Sequence, residues 1–103
     1  LDEPFGSDVL PEVLACLKKI EKEICEIRSF QAAEQAYIHE KFEELALNAT
    51  SQSKTSWMQT LIGVMFSLSG QLNFSLHQTY LNLNTSMQMI QPYLPSFMKQ
   101  IAQ

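Results

Sequence analysis

The sequence predicts an all-α fold: an antiparallel helical hairpin of two long helices plus a short C-terminal helix, completed into a bundle by oligomerisation or by a partner. Apolar residues recur at three- and four-residue steps over two long stretches, one polar segment separates those stretches, and two prolines end the second. At 103 residues and 46% hydrophobic content, the chain has the size and composition of one folded domain. Two long helices without a third layer would leave much apolar surface wet, which is why the prediction includes a second copy or a partner.

Residues 1–7 read as a flexible leader, because Pro4 and Gly6 disfavour regular structure there. Ser7 or Asp8 can cap the first helix, expected over 8–47, with Pro11 in the first turn, where no intrahelical acceptor faces it. Val13, Leu17, Ile20, Ile24 and Ile27 then alternate steps of four and three, the spacing of one helical stripe. Near Ser29 to Glu34 the stripe shifts to Phe30, Ala33 and Tyr37, so a bend or a rotated contact face is expected before Ile38, Phe42 and Leu45 resume it.

Residues 48–55 (Asn-Ala-Thr-Ser-Gln-Ser-Lys-Thr) favour turns and caps over helix interiors and form the expected connection. Ser56 with Gln59 has a capping-box spacing that would open the second helix, 56–91. In it Leu61, Met65, Leu68, Leu72, Leu76, Tyr80, Leu83, Met87 and Ile90 span 29 residues in eight steps, a mean step of about 3.6, which is the helical period. Pro92 and Pro95 stop this helix, and Leu94, Phe97, Met98 and Ile101 mark a short helix at 95–102. At 1.5 Å per residue the long helices would measure roughly 60 Å and 54 Å, so their lengths match.

The charge distribution is uneven. No Asp, Glu, Lys or Arg lies between Lys54 and Lys99, whereas residues 1–54 hold all 11 acids and six of the seven bases. Charged side chains normally fill the solvent face of a helix, so an ion-free helix suggests burial on more than one side. The expected function is therefore a non-catalytic protein–protein interaction or assembly module. Its interface would be Trp57, Leu61, Met65, Leu68, Leu72, Leu76, Tyr80, Leu83 and Met87, and its partner another protein or a second copy. Trp57 equally suits the closed end of the hairpin core. All five methionines also fall in this half, where flexible thioethers suit adaptable contacts as well as plain core. Gly63 and Gly70, seven residues apart on nearly one face, would permit close approach of another helix, although such a spacing also arises by chance.

Two alternatives use the same features. An uncharged amphipathic segment avoids the cost of carrying ions toward hydrocarbon, so a secreted or translocated membrane-interacting protein is the first. A secreted helical ligand is the second, through the N-glycosylation patterns Asn48-Ala-Thr50, Asn73-Phe-Ser75 and Asn84-Thr-Ser86.

Other classes are disfavoured. Net charge −4 opposes approach to a phosphate backbone, so no nucleic-acid partner is expected. Two histidines on separate helices, with no nucleophile motif, glycine-rich phosphate loop or paired ligands, predict no catalytic, cofactor or metal site. His39 among Glu34, Glu40, Glu43 and Glu44 reads as an acidic surface. Cys16 and Cys25, nine residues apart on one helix, stand roughly 13 Å apart along its axis, beyond disulfide reach. Free thiols slightly favour an intracellular setting, with an intermolecular bridge in a secreted dimer as the other reading. A chain opening on Leu1 is expected to be a processed product or a fragment.

Overall fold

The computed structural model describes residues 2–95 and is all-helical over them. Its helices are α1 (Leu10–Cys25), α2 (Ala32–Ala49), α3 (Lys54–Leu72) and α4 (Leu76–Ile90), followed by one 3₁₀ turn, Gln91–Tyr93. Each helix packs on the next and α4 closes against α1. The links are short, so neighbours run antiparallel and the chain forms an up-down-up-down four-helix bundle. The expected short helix at 95–102 lies almost wholly outside the described residues.

Both predicted long helices are therefore broken near their middles, and the bundle is closed within one chain. A straight helix of roughly 60 Å would not fit a molecule whose longest extent is 41 Å. The first break falls at residues 26–31, where the apolar stripe shifts. Gln31 is extended and its backbone N–H donates to Glu34 Oε1 at 2.9 Å, half of a capping box that starts α2. The second break is sharper. Asn73 adopts a left-handed conformation (φ 58), which terminates α3, and the Ser75 hydroxyl accepts from Gln78 N at 3.0 Å to start α4.

The breaks meet at one end of the bundle. Arg28 Nη2 donates to the Leu72 carbonyl at 2.9 Å and to Glu34 Oε2 at 3.1 Å. Its guanidinium also lies 4.6 Å from the Phe30 ring centre and 5.5 Å from that of Phe74, and those rings meet edge to face. At the opposite end α3 starts at Lys54 rather than 56, because Ser53, not Ser56, is the cap: its hydroxyl accepts from Ser56 N. Trp57 is fully buried there and its indole N–H donates to the Leu45 carbonyl at 2.9 Å.

The leader is pinned rather than flexible over its described part. Phe5 is buried edge-on against Trp57, with ring centres 5.1 Å apart. Lys54 N donates to the Glu3 carbonyl, and Thr55 N to Asp2 Oδ1 at 3.1 Å. That bond holds the Asp2 carboxyl below its usual pKa and places an anion at the N-terminus of α3, where the helix dipole favours it. Neither Ser7 nor Asp8 caps α1; Val9 occupies that position, without a side-chain cap.

The core is built from Val13, Leu17, Ile20 and Ile24 of α1, Ile38, Phe42 and Leu45 of α2, and Trp57, Leu61, Met65, Leu68 and Leu72 of α3. These are the stripes expected from the periodicity. At α4 the pattern departs from it.

Candidate interaction surface

The residues of α4 that face the core are Thr79, Asn82, Ser86 and Ile90. Three of the four are polar. Thr79 Oγ1 lies 2.8 Å from both the Ser75 carbonyl and Ser69 Oγ, and Ser69 in turn donates to the Met65 carbonyl. Ser86 donates to the Asn82 carbonyl at 2.8 Å and sits 3.5 Å from the Met65 sulfur. Gln78 Nε2 donates to Asn82 Oδ1 at 2.8 Å. Among the described residues no buried side-chain N or O lacks a partner, so this polar seam is satisfied.

With these polar residues inward, the first turns of α4 leave apolar side chains outward, while Leu83 and Met87 further along pack partly against the core. Leu76 is 90% exposed and Tyr80 63%, while Leu83 and Met87 are half-buried. On α3, Phe66 is 58% exposed. Helical geometry places these side chains on one side of the α3–α4 seam. At about 100° per residue, Phe66 stands roughly 60° round α3 from Ser69, and Leu76, Leu83 and Met87 stand roughly 40–80° round α4 from Thr79. Because α3 and α4 run antiparallel, both rotations lead to the same outer side of the seam that Ser69 and Thr79 mark. Gly63, Ser67 and Gly70 lie further round the same side of α3, all exposed.

The interface expected from the sequence thus divides at Asn73. Trp57, Leu61, Met65, Leu68 and Leu72 belong to the chain's own core and are closed to any partner of the folded monomer. Leu76 and Tyr80 are on the surface, and Leu83 and Met87 are partly so. Phe66 belongs to the exposed face but falls outside the stripe that periodicity singles out. Of the methionines, Met58 and Met65 are core, Met87 and Met89 pack partly against it, and Met98 lies outside the described residues.

The ionisable groups lie elsewhere. His39 Nδ1 is 3.1 Å from Glu21 Oε2, and Nε2 is 3.5 Å from Glu43 Oε1. The Glu21 hydrogen bond raises the imidazole pKa, with the nearby negative charges adding to it. Burial pushes both thiols up: Cys16 donates to the Met89 carbonyl, and Cys25 is half-buried. Among the described residues no three His, Cys, Asp or Glu converge as metal ligands. No described helix is long and apolar enough to cross a membrane. Of the three glycosylation patterns, Asn73 is exposed in the α3–α4 turn, whereas the Ser86 hydroxyl of the Asn84 pattern is fully buried.

Comparison with protein-family models, with curated proteins and with solved structures gives no match.

Proposed function

We propose that the chain is a non-catalytic helical module that binds another protein surface through the outer face of α3 and α4. The supporting observation is the orientation of α4, with Thr79, Asn82 and Ser86 inside and Leu76 and Tyr80 in water. A surface helix is ordinarily arranged the other way, because each exposed leucine or aromatic forgoes roughly 1.5–3 kcal/mol of burial. Something that covers the face recovers that energy. The absence of ions from residues 55–98 fits the same reading, since a face without charge loses little on desolvation.

A photo-crosslinking amino acid at position 76, activated in the source cells, tests this. Adducts to a protein are expected from position 76 and not from position 40, on the charged exterior of α2. Equal labelling at the two positions, or none at 76, contradicts the reading.

A further inference from the structure

We infer that the first three turns of α4, Leu76 to Ser86, open as a unit of their own while α1, α2 and α3 stay folded. The opening is a property of the chain alone and stands whether or not a partner covers the outer face.

A helix is held in a bundle chiefly by the apolar surface it buries, because a neutral hydrogen bond largely replaces one already made to water. α1 buries Val13, Cys16, Leu17, Ile20 and Ile24, and the seven residues that α3 buries between Trp57 and Leu72 are all apolar. Between Leu76 and Ser86 the buried residues are Thr79, Asn82 and Ser86, and Leu83 is only half-buried. Most of their polar contacts are internal to the segment and its cap: Thr79 with the Ser75 carbonyl, Ser86 with the Asn82 carbonyl, and Gln78 with Asn82. The described side-chain hydrogen bonds that leave the segment join Thr79 to Ser69 Oγ at 2.8 Å and Ser86 to the Met65 sulfur at 3.5 Å. The described ion pairs all lie on α1, α2 and their link, so none holds α4.

The seam with α1 is also incompletely filled. A groove of about 180 Å³ separates Ile20 and Ile24 of α1 from Gln78, Asn82 and Thr85 of α4, so isoleucines there meet amides across open space and forgo packing contacts. On either side of the segment the chain is anchored. Before it, Phe74 meets Phe30 edge to face and Arg28 holds the Leu72 carbonyl; after it, Ile90 and Leu94 are buried and the Cys16 thiol donates to the Met89 carbonyl. These anchors set the limits of the opening. Phe66 stays on α3 when the segment opens, whereas Leu76 and Tyr80 leave its side, so the opening takes the outer face apart within an otherwise native chain.

Amide hydrogen exchange of the full chain, read by NMR at low urea concentrations, tests the inference. A local opening has its own free energy and a smaller denaturant slope than global unfolding. After correction for intrinsic rates, the amides of Tyr80 to Ser86 should exchange about 100-fold or more faster than those of Phe42 to Leu45 and Val64 to Leu72, with a weaker dependence on urea. Ile38→Val trims the α2 core and should speed the α2 and α3 amides roughly three- to tenfold. It should leave residues 80–86 unchanged, because the loss raises the closed and the locally open forms alike. Asn82→Leu, which puts apolar volume into the groove beside Ile20 and Ile24, should slow residues 80–86 roughly tenfold. A single opening free energy for all these amides, or equal acceleration of residues 80–86 by Ile38→Val, overturns the inference. So does an Asn82→Leu chain in which those amides exchange as fast as before or faster.

Discussion

Arg28 and Leu72 tie the two turns at one end of the bundle: the guanidinium of the α1–α2 link donates to the last carbonyl of α3 at 2.9 Å. The carbonyls that end a helix lack intrahelical partners and carry its negative pole, so a cation there satisfies and stabilises the terminus. Arg28→Ala should lower stability by about 1–2 kcal/mol, a figure reduced for the side chain's partial exposure. Arg28→Lys should restore only part, because an ammonium cannot bridge the Leu72 carbonyl and the Glu34 carboxylate while lying over two rings. Urea denaturation with unchanged m-values checks both.

The division of the apolar stripe at Asn73 predicts opposite outcomes for two similar substitutions. Leu68→Asp buries an unpaired carboxylate in the core and should abolish the cooperative unfolding transition. Leu76→Asp, four residues beyond the last leucine of α3, places the same group in water and should change stability by less than about 0.5 kcal/mol. Thermal melts of the two variants test this; equal damage would mean that α4 faces the other way.

Asn73 supplies the left-handed residue that ends α3. Asn73→Gly removes the steric cost of that conformation and should stabilise the fold by roughly 0.5–1 kcal/mol, while Asn73→Ala should destabilise it by about 1 kcal/mol. The ordering Gly, Asn, Ala in denaturation midpoints is the expected result.

His39 links α2 to α1 through Glu21. Its pKa is raised in the folded chain, so the pair contributes stability fully below the ordinary imidazole value of 6.5 and loses it as pH rises through the higher folded value. An NMR titration of the imidazole should place its midpoint above 6.5, and Glu21→Gln should return it most of the way. A midpoint at or below 6.5 in the unaltered chain would contradict the contact.

The helical class and most of the core were legible because burial follows period: Val13 to Ile24 and Trp57 to Leu72 lie inside as the spacing requires. The first break showed only as an expected bend or rotated face near Ser29 to Glu34, and the second not at all, because neither link contains proline or glycine. Asn73 and Ser75 do carry a signal, an asparagine suited to a left-handed cap two residues before a serine suited to an N-cap, but it lies within a stretch already rich in both residue types. Gln31 with Glu34 is a second capping signal that glutamine disguises. The orientation of α4 was hidden for a deeper reason. Thr79, Asn82, Ser86 and Ile90 are spaced as helically as Leu76, Tyr80, Leu83 and Met87, and periodicity alone cannot choose which stripe turns inward once a turn has uncoupled α4 from α3.

The reversal of the chain at Asn73 is the claim on which the exposed face depends, and an electron–electron spin distance measures it directly. Labels at Gln59 and Gln88, both exposed, should be read in a Cys16→Ala, Cys25→Ser background diluted with unlabelled protein to suppress distances between copies. Adjacent antiparallel helices with axes about 10 Å apart predict a separation below about 25 Å. A distance near 44 Å, the span of an unbroken helix at about 1.5 Å per residue, would return Leu76 and Tyr80 to the core stripe and contradict the account.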